Sequence, residues 1–436
     1  MQHKTVIFVL IHFVSSLHEV LKISYTHFST SDFHTNRNDW RDHMKLDSFK
    51  MRFIVLSFIV AISGFSQGML LPLISFIFEQ QEVNATLNGL HASGLYIGVL
   101  ISSLFIEAPL RKYGFKPMII TGGIIVGLSL LLFPVLETIW LWFLLRLLVG
   151  IGDNVLHFST QTWLTQTTPQ HKLGRIVAFY GLFFSFGFMI GPKISELVTV
   201  WEPLPFIVSG LLTMIGWPLI FLLKDASGAK PIDSGVPITV FNTFRNFKNV
   251  LATSWIAFLF PMLFGVFEAS LNSNFPVFAI RNGFSLSAIT WILPAFSLGA
   301  ILLQVPIGIL GDRIGRRRLM PILLATGILL FLAMEAFNTS FVMLLILFIL
   351  AGVAVGSMYS LGISYMTDIT PKYNLPAGNL MAGIMFSLGS IVGPVIGGAV
   401  ISASKGSLYF IFFAAAITLV LMMDILFRYK RPNVAQ

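Results

Sequence analysis

The sequence predicts an all-α membrane protein whose twelve transmembrane helices form two six-helix bundles related by a parallel repeat. Three observations predict it. The 436 residues are 56% hydrophobic and only 11% charged, against about 25% charged in a soluble domain. Apolar runs of roughly 20 residues, the length that crosses a bilayer, recur along the chain. Residues of the two halves also match at one constant spacing.

In chain order the spans cover roughly 53–77, 88–107, 117–136, 139–164, 175–199, 204–223, 252–279, 286–307, 319–336, 340–367, 375–403 and 407–427. Charged loops punctuate them. Arg111, Lys112 and Lys116 divide the second span from the third, and Lys172 precedes the fifth. Arg313, Arg316, Arg317 and Arg318 divide the eighth from the ninth, and Lys372 precedes the eleventh. Glycine and proline recur inside the spans, as is common in membrane helices. The longest internal loop, about 224–250, holds Gly228, Pro231, Gly235 and Pro237. It follows the sixth span and reads as a linker. The expected organisation is an N-terminal bundle over 44–223, a cytoplasmic linker over 224–250 and a C-terminal bundle over 251–436.

Orientation follows from the cations. Seventeen Lys and Arg fall in the loops of one side, and only Arg281 and Lys405 in those of the other. The positive-inside rule then places both termini in the cytoplasm of a cell-membrane protein.

Residues 1–43 do not match the rest. They hold 6 of the 9 His and one apolar run, Val6–Val14, too short to span a bilayer. The residues just before Met44 are compatible with codons carrying a purine-rich ribosome-binding sequence. The expectation is that 1–43 is a non-native leader and that translation starts at Met44.

The repeat is explicit. Gly150 matches Gly352, Thr165 matches Thr367, and Pro169 matches Pro371, each 202 apart. Gly187, Gly191 and Pro192 match Gly389, Gly393 and Pro394 at the same offset. Gly114 and Gly315 are 201 apart.

The loop at Gly315 reads Gly308-x-Leu310-x-Asp312-Arg313-x-Gly315-Arg316-Arg317. It resembles the loop signature of the major facilitator superfamily, carried there between helices 2 and 3 and again between 8 and 9. The resemblance runs from Met51 to Arg431. It implies a secondary transporter of the major facilitator fold, with substrate held near the midplane between the halves. It also implies that Asp312, Arg313, Gly315, Arg316 and Arg317 latch the cytoplasmic side. In the first loop Glu107, Arg111 and Phe115 stand where the second has Gly308, Asp312 and Arg316. Lys112 remains there, and Glu107 precedes Arg111 by four residues, a favourable order for a helical ion pair. The latch role is therefore expected mainly of Asp312 and Arg313.

Span 4 carries Arg146, Asp153 and His157. At 100° per residue they form one polar stripe within about 40°. Ionisable groups at bilayer depth are costly and normally face the bundle interior. Arg146-x-x-x-Gly150-x-Gly152 resembles a fourth-helix motif of the family, in which the arginine is linked to proton coupling. The three residues are the proton-coupling candidates. The alternative is a static Arg146–Asp153 pair that locks helix packing.

Gly187-x-x-x-Gly191-Pro192 in span 5 lets helices approach closely and resembles the family's antiporter motif. Ser195 and Glu196 replace its last two glycines, whereas span 11 keeps the whole ending from Gly393-Pro394 to Gly397-Gly398. Helix packing explains the pattern equally well. Glu268 in span 7 and Gln67 in span 1, 201 apart, are cavity candidates, with Tyr180. The set Tyr180, Phe183, Phe184 and Phe186 reads more readily as lipid-facing or core than as a substrate box.

Several classes fall away. There is no Cys, hence no disulfide and no thiolate site. The sequence holds no nucleotide-binding loop and no HExxH. The net charge of +9 is spread over short loops, which argues against nucleic acid. Ser402-x-x-Lys405 matches the spacing of penicillin-binding enzymes but lacks their companion motifs. Asn84 and Asn338 head glycosylation sequons on loops placed outside. No catalytic residue, metal or cofactor is expected. The expectation is a monomeric, proton-coupled exporter of a lipophilic drug or metabolite, resembling drug–proton antiporters. An importer of a small polar nutrient is the alternative, and a ligand sensor a more distant one.

Overall fold

A computed structural model describes residues 39–136, 138–223, 240–371, 374–404 and 406–430. The described residues hold helices and no strand. Among the described residues, twelve helices are long and apolar enough to cross a membrane. They are α1 (Phe49–Gln80), α2 (Ala85–Phe105), α3 (Phe115–Leu132), α4 (Ile139–Thr167), α5 (Arg175–Thr199) and α6 (Leu204–Leu222). The second six are α7 (Val250–Arg281), α8 (Leu286–Ile314), α9 (Arg316–Ala336), α10 (Phe341–Ile369), α11 (Ala377–Ser404) and α12 (Tyr409–Leu426).

The expected start at Met44 concerns residues that mostly lie outside those described. The helix containing α1 begins at Asp39 and runs through Met44. Helix also begins at Val240, inside the expected linker, while 224–239 lie outside the described residues. By packing, residues 55–436 form one compact unit.

Sequence dictates the bends. Ser254 leaves helical geometry at φ −127° near the start of α7. Its hydroxyl shares a 2.7 Å hydrogen bond with Thr370, so the kink is held by α10. In α10 the helix breaks between Val355 and Met358, at the Gly356-Ser357 pair. Gly114 and Gly315 have φ of +84° and +88°. A Cβ is strained in that region, so a glycine stands at each turn between the second and third helices of a half.

The two halves pack alike. A methyl on Gly187 would overlap the Ala61 carbonyl of α1, and one on Gly389 would overlap the Met262 carbonyl of α7. Gly150 meets the Leu95 carbonyl of α2 in the same way, and Gly352 meets that of Phe296 in α8. Without side chains there, backbones approach closely, and dispersion contacts hold them in lipid. Exposed Leu, Ile, Val and Trp side chains, such as Leu104, Trp140 and Leu329, cover the outer faces.

Candidate functional site

The site is organised around α4, whose polar stripe reaches three different helices. Arg146 is fully buried. Its Nη1 donates to His91 Nδ1 on α2 at 3.2 Å, and its Nη2 to the Leu70 and Leu71 carbonyls of α1 at 3.3 Å each. His91 Nε2 lies 3.1 Å from the Ile139 carbonyl. A carbonyl only accepts and a guanidinium only donates. His91 is thereby assigned as the neutral Nε2–H tautomer. Asp153, also buried, accepts at 2.7 Å from the Ser63 hydroxyl of α1. His157 Nδ1 lies 3.3 Å from the Tyr180 hydroxyl of α5, which also meets Thr160 at 2.5 Å.

The stripe is therefore not a relay along one helix. The static Arg146–Asp153 pair considered from sequence does not form: seven residues put the two groups about 10 Å apart along the axis. Arg146 instead fastens α2 and the carbonyls beside Pro72 in α1. His91, which satisfies it, was missed in the sequence. Its signal was a lone histidine in a membrane-length span.

Gln67 and Glu268 occupy equivalent places in α1 and α7. Over 59–78 every residue of α1 is buried except Gln67, and over 265–279 every residue of α7 except Glu268. Glu268 lies near enough to the Tyr96 and Tyr359 hydroxyls to interact electrostatically. Those rings belong to an aromatic cluster with Phe264 and Phe386. Centroids are 6.2 Å apart for Tyr96–Phe386, 5.5 Å for Tyr359–Phe386 and 6.1 Å for Phe264–Tyr359. The cluster joins α2 of the first half to α7, α10 and α11 of the second. Sequence reasoning looked for aromatics on α5 instead. Tyr180 there is buried and bonded to α4, so it does not line an open surface. Phe264, one turn before Glu268, was the signal available.

At the end of the helices with few cations, the halves are tied together. Arg281 of α7 pairs with Glu79 of α1 at 2.7 Å. Lys193 pairs with Glu196 at 2.5 Å and lies 4.5 Å from the centre of the Trp291 ring in α8. Glu196 accepts from the Thr290 hydroxyl of α8. Asn84 accepts from Ser402 of α11 at 3.0 Å while capping α2 through Thr86 N at 2.8 Å. The serine of the Ser402-x-x-Lys405 spacing is thus a helix-packing group, and Lys405 lies outside the described residues.

At the basic end the pairs named here stay within a half. Arg316 donates to Asp312 at 2.5 Å and to both oxygens of Asp368 at 2.6 and 2.8 Å. Arg313, expected to share the main latch role with Asp312, is exposed and takes no part in these pairs, which Arg316 makes. The turn at Gly315 between α8 and α9 brings Arg316 back to Asp312. Asp368, near the end of α10, was missed, although it stands beside the repeated Thr367. Arg111 pairs with Glu107 at 2.6 Å. Lys112 lies 5.1 Å from the Tyr113 ring centre. Gly191 abuts α1 through Phe65 and Met69, and Gly393 abuts Val266 of α7. Pro192 and Pro394 are buried beside them, and the Pro394 carbonyl accepts from Asn274 at 2.8 Å.

Among the described residues no cluster of three or more His, Asp or Glu could hold a metal ion.

A family model described as Major Facilitator Superfamily matches residues 56–286 and 258–436. The chain is 48% identical over 387 residues to the uncharacterised MFS-type transporter YfkF of Bacillus subtilis (strain 168), covering 89% of this chain and 98% of that one. It is 24% identical to multidrug resistance protein 2 of the same organism, over 80% of this chain and 88% of that one. Among solved structures it is similar to a mutant of the nucleoside transporter NupG, with a TM-score of 0.74, 17% identity, and 86% and 99% of the two chains covered. It is also similar to a bacterial homologue of the human lysosomal transporter Spinster in an inward-facing, occupied conformation. There the TM-score is 0.68, identity 13%, and coverage 92% and 99%.

Proposed function

The chain belongs to the major facilitator superfamily, and from that premise we propose that it is a proton-coupled exporter of lipophilic small molecules, working by alternating access as a monomer. The observation that carries this reading is Asp153. It is a carboxyl group 1% exposed in the middle of a membrane helix, held by a hydroxyl rather than by a cation. Such a group is costly in lipid and marks an ion or proton pathway by default. Burial favours the neutral form of a carboxyl and water contact the charged form. Rocking of the halves that changes water access to Asp153 then loads and releases a proton. Because Arg146 is not its partner, solvent access sets the switch, and Arg146 keeps the helices in register.

Substrate is read to bind between the halves, against Gln67, Glu268 and the rings of Tyr96, Phe264, Tyr359 and Phe386. Apolar, aromatic surroundings suit a lipophilic molecule. Glu268 favours one that carries a basic group, which the ring faces also attract. Similarity to a multidrug resistance protein supports the same reading. The ties at the cation-poor end fit a state closed on that side. Asp312, Arg316 and Asp368, already paired within the second half, are read as the preformed group that meets the first half when the cytoplasmic end closes. Both termini are placed in the cytoplasm and the protein in the cell membrane.

A growth screen of cells with and without the protein, against a panel of toxic lipophilic compounds, tests the reading. Raised tolerance that disappears when the membrane proton gradient is collapsed is the expected result. Accumulation of the compounds in expressing cells contradicts export.

A further inference from the structure

A small cavity lies between α1, α4 and α6, lined by Ile59, Ile62, Ser63, Asp153, Leu156, Thr213, Gly216 and Trp217. It has room for about one water. Two polar atoms of these lining residues are buried without a hydrogen-bond partner: Asp153 Oδ2 and Trp217 Nε1. One is an acceptor and the other a donor. Buried polar groups of this kind cost free energy unless satisfied, and a water that meets both is the smallest group that satisfies them. The other Asp153 oxygen is already engaged by Ser63.

We propose that this cavity is a water site built by Asp153 and Trp217, and that its water is the immediate partner that hands a proton to Asp153 and takes it back. The water accepts from the Trp217 indole N–H and donates to Asp153 Oδ2. In the loading step a proton passes from the water oxygen to Oδ2; the hydroxide left behind is neutralised by a proton from bulk water, and release is the reverse. The inference rests on the reading of Asp153 as the coupling group.

It gives the proton a site apart from Glu268, which sits on α7 in the other half. Proton and substrate can then be bound together without competing for one carboxylate, and they influence each other through helix movement and through Gln67, which lies beside Asp153. The ionisable neighbours are few. Besides Asp153, α4 carries Arg146 and His157, both engaged elsewhere. From α1 the polar groups are Ser63, Ser66, which meets Thr213, and Gln67, whose side chain lies beside the Asp153 carboxyl; from α6 they are Thr213 and Trp217. On α2 His91 is tied to Arg146, and Tyr96 lies toward Glu268. The α3 span carries only Lys116, which donates to the Leu223 carbonyl. On α5 Tyr180 is held by α4.

Infrared difference spectroscopy of the purified protein, titrated in H₂O and D₂O, tests this without any substrate. The protein should show a protonated-carboxyl band that titrates and is lost in Asp153→Asn. Trp217→Phe removes only the indole N–H. It should move both the position of that band and its titration midpoint, the latter by about one pH unit, the scale of one lost hydrogen bond. Ile62→Phe, which fills the cavity with apolar volume and leaves both polar groups in place, should do the same and serves if Trp217→Phe does not insert. A band that is lost in Asp153→Asn but unchanged in both other variants overturns the water site and leaves Asp153 as the proton group. Titrating carboxyl bands that all survive in Asp153→Asn overturn the reading beneath it as well.

Discussion

The guanidinium of Arg146 meets the imidazole of His91 on a neighbouring helix, 3.2 Å away. The pair, with the Leu70 and Leu71 carbonyls, fixes α1, α2 and α4 to one another. His91→Ala removes the only side-chain acceptor named for Arg146. A hydrogen bond to a charged group contributes about 1.5–3 kcal/mol. The variant should therefore lower the thermal unfolding temperature of the purified protein, and Arg146→Ala should lower it further. Neither should abolish the titrating carboxyl band. Unchanged unfolding in both variants contradicts the anchoring role.

Glycines set the helix spacing. Gly389→Ala places a methyl against the Met262 carbonyl, whereas Gly383 has nothing within 4 Å. Overpacking costs about 1–3 kcal/mol. Gly389→Ala should reduce the yield of monodisperse protein, and Gly383→Ala should not. Equal yields contradict close packing of α7 and α11.

Much of this was legible in the sequence. The twelve spans and the glycine offsets could be read because lipid demands long apolar runs and small residues where helices touch. Side-chain partners could not. Helical periodicity put Arg146 and Asp153 on one stripe, but rotamers and neighbouring helices decide that Arg146 turns to His91 and Asp153 to Ser63. The resemblance placed Arg313 in a latch, while the turn at Gly315 and the end of α10 give Arg316 the carboxylates. Asp368 is 52 residues from Arg316, a distance no local pattern bridges.

Asp312 and Asp368 both hold Arg316. If these pairs support the state closed at the cytoplasmic end, Asp312→Asn and Asp368→Asn should shift the population toward the state open there, by about 1–3 kcal/mol if coupling is typical. Gln304 lines the cavity beside Asp312 and Arg316. In the cysteine-free chain, Gln304→Cys reports that opening by its labelling rate from the cytoplasmic side. Faster labelling in both aspartate variants is expected; equal rates remove the latch role.

The Glu79–Arg281 pair ties the halves at the other end. Both side chains are partly exposed, 12% and 32%, so the pair contributes about 0.2–1 kcal/mol. Arg281→Glu should open that end and speed labelling of Thr290→Cys, and the swap Glu79→Arg with Arg281→Glu should slow it again. A swap that behaves like the single variant argues against the tie.

The central claim is that a proton on Asp153 drives transport. Proteoliposomes with an imposed pH gradient, loaded with a compound selected in the growth screen, measure it directly. The account predicts that wild-type protein concentrates the compound against its gradient, while Asp153→Asn binds it with unchanged affinity and only equilibrates it. Concentration by Asp153→Asn equal to wild type would contradict the account and move the coupling site elsewhere, with Glu268 the next group to test.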